Sequence, residues 1–231
     1  MLCRQLLAGR DFARDDPAAR QMLNYVYVLG DEAGGEVVLV DPAWAPGELV
    51  GLLEGEGLRL AGVVLTHHHA DHAGGDLAGW SIPGIRQLLE VVDVPVHVQA
   101  PEVPWVSRGT EVEPGSLVAH EPGDILRVGD LELTLLRTPG HTPGSQCILA
   151  GDEVITGDTL FLTGCGRTDL PGGDADALYE SLARLAALPA ETVVLPGHAY
   201  DPAPSGAIGE LRRSNPVLVP RSPEEWRRRF G

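Results

Sequence analysis

The stretch Thr66-His67-His68-His69-Ala70-Asp71-His72 lies where an apolar run, LAGVVLT (Leu60 to Thr66), gives way to the glycine pair Gly74-Gly75. A continuous apolar run of this length reads as a strand buried on both faces, the pattern of a parallel sheet covered by other layers. Side chains alternate along an extended chain, so His67 and His69 project to one side and His68 to the other, and a turn then brings Asp71 and His72 round to a neighbouring point. Two imidazoles beside an Asp/His pair make two adjacent, incomplete coordination shells for borderline metals. Histidines that only cap a helix are the competing reading of the segment. His68 is expected outside the coordination shell.

One segment cannot close such a site, so the remaining ligands must come from other strand ends. Three positions share the context of an apolar run followed by a glycine turn: His141 in LLRTPGHTPGS, Asp158 in VITGDTLF and His198 in VVLPGHAY. A polar residue after a strand and a turn is where a scaffold presents chemistry, although Asp158 alone could also be a turn-forming residue. His97, inside a strand pattern, and His120, before a Pro-Gly turn, lack that context and are read as structural.

Further out, Asn24 to Asp41 reads as a β-hairpin about a DEAGG turn, residues 46–55 as a short helix, Ile82 to Val92 as a helix and Val94 to Ala100 as a strand. The proline-rich residues 100–115 read as loop. Four short strands follow (DILRVGD, LELTLLRT, SQCILAG, DEVITGD), then a helix over DADALYESLARLAAL, a strand TVVLP and two short tail helices. Strands then helices, twice over, predict an α/β fold in which two sheets pack face to face with helices outside, a four-layer αββα sandwich. The whole chain, 1–231, is expected to be one domain.

Composition narrows the function classes. A hydrophobic fraction of 43% with 22% charged residues is globular, and the 29 glycines and 19 prolines of the 231 residues argue against a helical bundle. A net charge of −16 disfavours nucleic acid and anionic lipid as partners. Cys3, Cys147 and Cys165 are too few and scattered for a disulfide framework. No signal-peptide pattern or long apolar segment is present, so a cytoplasmic location is expected.

HHHADH followed in order by PGH, GDT and PGH resembles the metallo-β-lactamase superfamily across nearly the whole chain, and the fold of that family is the αββα sandwich. The resemblance implies that His67, His69 and His141 hold one divalent metal ion and that Asp71, His72 and His198 hold a second. It further implies that Asp158 bridges the two, which places Asp71 and Asp158 in the catalytic machinery. Zinc is the expected metal, with iron or manganese as alternatives. GCGRTDLPGGD (Gly164 to Asp174) is similar to the GCGR segment of glyoxalase II, which hydrolyses S-lactoylglutathione, and of persulfide dioxygenases, which oxidise glutathione persulfide.

The expected activity is therefore metal-dependent hydrolysis of a thioester such as a hydroxyacylglutathione, by hydroxide formed between the metals. The alternative is oxidation of glutathione persulfide by a single Fe(II) held by His67, His141 or His69, and Asp158. HHHADHAGG looks like the hydrolase side. The RTD after GCG, the IGE…NP tail and the lack of the long helical C-terminal region of glyoxalase II look like the dioxygenase side. Arg167 is expected to hold a substrate carboxylate, Tyr200 either lines the thiol pocket or packs beside it, and Cys165 is read as a small buried residue rather than a nucleophile. The implied partner is a small thiol-derived substrate, with no nucleic acid and no membrane; a homodimer is left open.

Overall fold

A computed structural model describes residues 1–31, 34–219 and 222–230. Its first half runs β1 (Leu2–Leu7), α1 (Pro17–Met22), β2 (Tyr25–Gly30), β3 (Glu36–Val40), α2 (Pro46–Gly55), β4 (Arg59–Val64) and α3 (Ala70–Ala73). It continues through β5 (Gly75–Leu77), β6 (Trp80–Ile82), α4 (Ile85–Val91), β7 (Val96–Gln99), α5 (Val103–Thr110) and β8 (Leu117–His120). The second half runs β9 (Ile125–Val128), β10 (Leu131–Arg137), β11 (Gln146–Ala150), β12 (Glu153–Gly157), α6 (Ala175–Ala186) and β13 (Val193–Pro196). It ends with β14 (Gly206–Ala207), α7 (Ile208–Ser214) and α8 (Pro223–Phe230). Two six-stranded sheets result, ordered β1-β2-β3-β4-β7-β8 and β14-β13-β12-β11-β10-β9, so each half of the chain supplies one sheet. The expected αββα architecture is what the chain adopts.

Alternation along the strands sorts the apolar residues into three layers. In the first sheet Tyr27, Leu29, Val38, Val40 and Val64 face Leu133, Leu135, Ile148, Ile155 and Leu195 of the second. The intervening Val26, Val28, Val37, Leu39 and Val63 point the other way, onto Leu49 and Leu53 of α2 and Ile85 and Leu88 of α4. The outer face of the second sheet, through Cys147, Val154 and Val194, is covered by Leu178, Leu182 and Leu185 of α6 and by Trp226 of α8. Each fully buried aliphatic side chain contributes about 1.5–3 kcal/mol. The fold is thus carried by these layers, and a polar cluster at their edge need not contribute to stability.

Strand direction decides where that cluster forms. β3 and β4 are parallel, with Val40 opposite Val64, so Asp41 and Thr66 leave the sheet side by side. β12 and β13 are likewise parallel, with Ile155 opposite Leu195, so Asp158 and His198 emerge together at the edge of the other sheet. The carboxyl ends of parallel strands therefore deliver the polar residues from both sheets to one place. Gly197 is required by that approach: a Cβ there would sit 2.6 Å from Asp158 Oδ1.

Several local readings change. The segment expected as a loop, residues 100–115, forms a turn of 3-10 helix at Ala100–Glu102 and then α5. Pro101 and Pro104 lie in first turns, where a missing N–H costs nothing. β1, α1, β5, β6 and β8 were not foreseen: β1 is half-buried along its whole length, and the others are short. Glu32 and Ala33, part of the DEAGG segment read from the sequence as a turn, lie outside the described residues. No helix among the described residues is long and apolar enough to cross a membrane.

His97 on β7 and His120 on β8 meet at 2.8 Å, and His120 Nδ1 lies 3.2 Å from Asp124. Burial, with His120 beside it, pushes the His97 imidazole down to about 4. An unfolded histidine takes up a proton near pH 6.5 that folded His97 refuses until about 4. Stability is therefore full above the unfolded value and falls as pH drops through that window. Between pH 7 and 4.5, denaturant titrations of His97→Gln are expected to lose about 1–2 kcal/mol less stability than those of the parent chain. An identical loss in both proteins would remove His97 as a contributor.

Candidate metal centre

The segment after β4 is pinned before it turns. Thr66 donates to Asp41 through its backbone N–H (Oδ1, 2.7 Å) and its hydroxyl (Oδ2, 2.6 Å). Asp41 holds a left-handed backbone, φ 55°, one of the conformations that Asp tolerates and that concentrate at functional sites. Beyond Thr66 the chain passes through His67, His68 and His69 and into the short α3, which carries Asp71 and His72.

The side chains then gather in two sets. His69 Nδ1 lies 3.1 Å from His67 Nε2 and 2.9 Å from His141 Nε2. In the second set His72 Nε2 and His198 Nε2 are 3.2 Å apart, and Asp71 Oδ2 is 3.4 Å from each. Within each trio the potential ligand atoms lie within 4.8 Å of one another. Asp158 sits between the sets: Oδ1 is 3.4 Å from both His72 and His198, and Oδ2 is 3.6 Å from His141. All seven side chains singled out in the sequence come together.

The outward-facing nitrogens are committed elsewhere, which fixes the inward ones. His72 Nδ1 donates to Asp41 at 2.9 Å, His141 Nδ1 to the Arg167 carbonyl at 2.7 Å and His198 Nδ1 to the Met22 carbonyl at 2.7 Å. Each bond leaves the Nε2 lone pair facing the cluster, the arrangement of metal-binding histidines with outer support. Asn24 donates to Asp71 Oδ2 at 3.0 Å and is itself held by Trp44 Nε1 at 3.1 Å.

The two sets differ in charge. Burial, reinforced by neighbouring imidazoles, holds His67 well below its ordinary value and His69 down at about 3, so these rings are neutral with lone pairs available. Burial opposes charge on His72 and His198 as well, but Asp71 and Asp158 outweigh it and raise both. The same attraction overcomes burial at Asp71 and Asp158 and holds their carboxyls below the usual range. Asp158 Oδ1 is nevertheless buried without a hydrogen-bond partner. A buried carboxylate oxygen without a hydrogen bond is costly, and a cation between the sets would satisfy it, so donor types, spacing and the orphaned oxygen all fit divalent metals.

Sequence reasoning missed Asp41, Asn24 and Glu102. Asp41 carried the same signal as the others, a polar residue directly after an apolar strand. Glu102, inside the supposed loop, is buried: Oε1 accepts from the His68 backbone N–H (2.9 Å) and His68 Nδ1 (2.5 Å), and Oε2 from the Gly144 N–H (2.6 Å). Gly144 has to be glycine, since a Cβ would lie 2.7 Å from that same carboxylate. His68 therefore turns from the ligand sets toward Glu102 and stacks on Trp105 at 5.0 Å, as its alternate direction predicted.

A cleft of about 480 Å³ opens over the cluster, with Met22, Leu77, Phe161, Leu170 and Tyr200 among its walls. Tyr200 both lines it and packs on the site, stacked on His198 at 4.5 Å with the rings 9° apart. Arg167 reaches its rim, but the guanidinium is closed on Asp169 by two contacts of 2.6 Å.

The Lactamase_B family, described as the metallo-beta-lactamase superfamily, matches residues 20–198. The chain is 37% identical over 197 residues to the hydroxyacylglutathione hydrolase of Methylococcus capsulatus, covering 84% of this chain and 70% of that one. The crystal structure of ETHE1 from Myxococcus xanthus superposes with a TM-score of 0.78 at 35% identity, over 98% of this chain and 88% of the other. That of TTHA1623 in a di-iron-bound form gives 0.67 at 32% identity, over 84% and 95%.

Proposed function

This chain belongs to the metallo-β-lactamase superfamily, on its glyoxalase II and persulfide dioxygenase-like branch, and we propose that it is a metal-dependent hydrolase cleaving the thioester of a small thiol. Hydroxyacylglutathione is the example named by its relative. The observation that carries this reading is Asp158, a carboxylate whose Oδ1 is buried without a hydrogen-bond partner and lies between two ligand trios. Two built sites suit a binuclear hydrolase better than a mononuclear oxygenase, and the di-iron form of TTHA1623 supports a two-ion reading for a related fold.

His67, His69 and His141 would hold one divalent ion and Asp71, His72 and His198 a second, with the Asp158 carboxylate between the two sets. Such ions would supply Lewis-acid polarisation of the thioester carbonyl and lower the pKa of the attacking water. Asp158 would orient that water, whose oxygen adds to the carbonyl carbon as the C–S bond breaks, leaving the acid and a thiolate that takes up the water's proton.

No side-chain nucleophile is involved. Burial pushes the Cys165 thiol up to about 12, so it is protonated and inert at neutral pH. Cys165→Ser is accordingly expected to keep kcat/KM within about twofold, whereas a thousandfold loss would restore it as a nucleophile. The chain is taken to act in the cytoplasm, where Cys3, Cys147 and Cys165 stay free.

Elemental analysis of the purified protein, run with hydrolysis of S-lactoylglutathione and of an N-acetylcysteamine thioester, tests the proposal. Two ions per chain with thioester turnover are expected. One iron per chain, with oxygen uptake on glutathione persulfide and no thioester cleavage, would overturn it in favour of the dioxygenase chemistry that the GCGRTD segment resembles.

A further inference from the structure

The cleft over the metal centre continues into a polar pocket of about 200 Å³, which shares Gly74, Asp76 and Gly109 with its lining. Gly74 follows α3, the helix that carries Asp71 and His72, so the pocket adjoins the second ligand set. Its two sides meet through bare backbone: a Cβ on Gly75 would run into the Gly109 carbonyl. β5 and α5 are thereby held close, and they bring Asp76 and Arg108 to the same pocket.

Outside the ligand sets and His68, the charged side chains lining cleft and pocket among the described residues are Asp76, Arg86, Arg108, Glu111 and Arg167. Arg86 pairs with Glu111, and Arg167 gives its Nε–Nη2 edge to Asp169. Asp76 and Arg108, one of each sign, are exposed and make no ion pair among the described residues. Arg108 is nonetheless positioned. Its guanidinium carbon lies 5.6 Å from the centre of the Trp105 ring, and Trp105 stacks on His68 of the cleft at 5.0 Å. A guanidinium laid on a ring engages its face there and keeps its edge N–H donors, in the fork geometry that suits a carboxylate.

Two unpaired charges of opposite sign in one pocket select a ligand group that carries both. A lone carboxylate on Arg108 would face Asp76 and a lone amine on Asp76 would face Arg108, whereas a zwitterion satisfies each. We propose that this pocket binds the α-amino-acid end of the substrate's thiol arm, its carboxylate on Arg108 and its ammonium on Asp76, so that these two residues set the preference for a γ-glutamyl thiol over a neutral one. The inference rests on the thioesterase reading for the chemistry in the cleft. Recognition of the amino-acid group stands on the pocket alone.

Calorimetry on the metal-loaded protein with non-hydrolysable thioethers measures this directly. S-Butylglutathione is the reference ligand. One analogue carries glutaryl in place of γ-glutamyl, which removes the ammonium, and another carries 4-aminobutyryl, which removes the α-carboxylate. Each loss is expected to weaken binding about tenfold. Arg108→Ala should weaken S-butylglutathione about tenfold but the aminobutyryl analogue less than about twofold, because the guanidinium's partner is already gone. Asp76→Asn should behave in the same way toward the glutaryl analogue. Both positions are exposed, so fold and metal content are expected to stay parental. With S-lactoylglutathione both variants should raise KM and leave kcat nearly unchanged, and neither should alter hydrolysis of an N-acetylcysteamine thioester. If no thioester is cleaved while these binding differences hold, the hydrolase reading falls and the pocket assignment stands. A variant that weakens its truncated analogue as much as S-butylglutathione, or that leaves S-butylglutathione binding unchanged, overturns the assignment.

Discussion

Asp158→Asn is expected to lower kcat/KM by roughly three orders of magnitude or more and to cut the metal content of the purified protein, while leaving it folded. Asparagine keeps the shape of the side chain, so the apolar layers beneath it are undisturbed. What disappears is the charge that both ligand trios share. With Asp158 ionised, the cluster offers two carboxylates against two positive ions; with an amide in its place, only Asp71 remains. The oxygen now buried without a partner would keep its position but attract a cation far less, and ligand and charge losses of this kind at preorganised sites cost about 10²–10³ or more in rate. The apoprotein also changes in a readable way. His72 and His198 owe their raised values partly to Asp158, so removing its charge should move both back toward neutrality at lower pH. Elemental analysis, steady-state kinetics and imidazole NMR of the metal-free chain follow all three. A variant with two tightly held ions and the parental rate would remove Asp158 from the centre of the mechanism.

How much of this could be read from the residues follows from where each signal resides. The ligand sets were legible because the histidine cluster follows one apolar run, because His141, Asp158 and His198 each follow another run and a glycine turn, and because parallel pairing of β3 with β4 and of β12 with β13 brings the ends that carry the cluster, Asp158 and His198 to one edge. The αββα layering was legible from the order of the elements, strands then helices twice over; VYVL and VVLV are apolar on both faces, and the structure turns Tyr27, Leu29, Val38 and Val40 inward and Val26, Val28, Val37 and Leu39 outward. β1 was not legible, because all six of its residues are half-buried and no alternation marks them. α5 was hidden by prolines whose presence argues for a loop unless they fall in a first turn. Glu102 was hidden with it: what makes it important is not its neighbours in the chain but two backbone N–H groups from other segments, at His68 and Gly144. Charge pairing of that kind leaves no periodic trace. Arg167 shows the same limit from the other side, since the part of it that touches the ligand sets is its backbone carbonyl, on His141.

Glu102→Ala is expected to destabilise the fold by about 3 kcal/mol and to empty one metal position selectively. The carboxylate takes three hydrogen bonds, two from backbone N–H groups of His68 and Gly144 and one from the His68 ring. Truncation orphans those donors in a buried site, at about 1–3 kcal/mol for each that water cannot reach. For a chain of this length about 3 kcal/mol corresponds to roughly 6–12 °C in Tm. The selectivity follows from what the two N–H groups belong to. His68 lies between His67 and His69, and Gly144 lies in the turn that carries His141, so Glu102 ties together the two segments that supply the all-histidine trio. The other trio is held by Asp41, Asn24 and the Met22 carbonyl, none of which touches Glu102. Competition with a chelator should therefore strip one ion from the Glu102→Ala protein at a concentration roughly tenfold or more lower than from the parent, with the second ion retained, in the range seen when outer supports of ligands are removed. Glu102→Gln, which keeps one acceptor oxygen, should fall between the two proteins in both Tm and chelator resistance. A destabilised Glu102→Ala chain whose two ions leave together, at the parental chelator concentration, would show that Glu102 supports the fold without positioning the ligands.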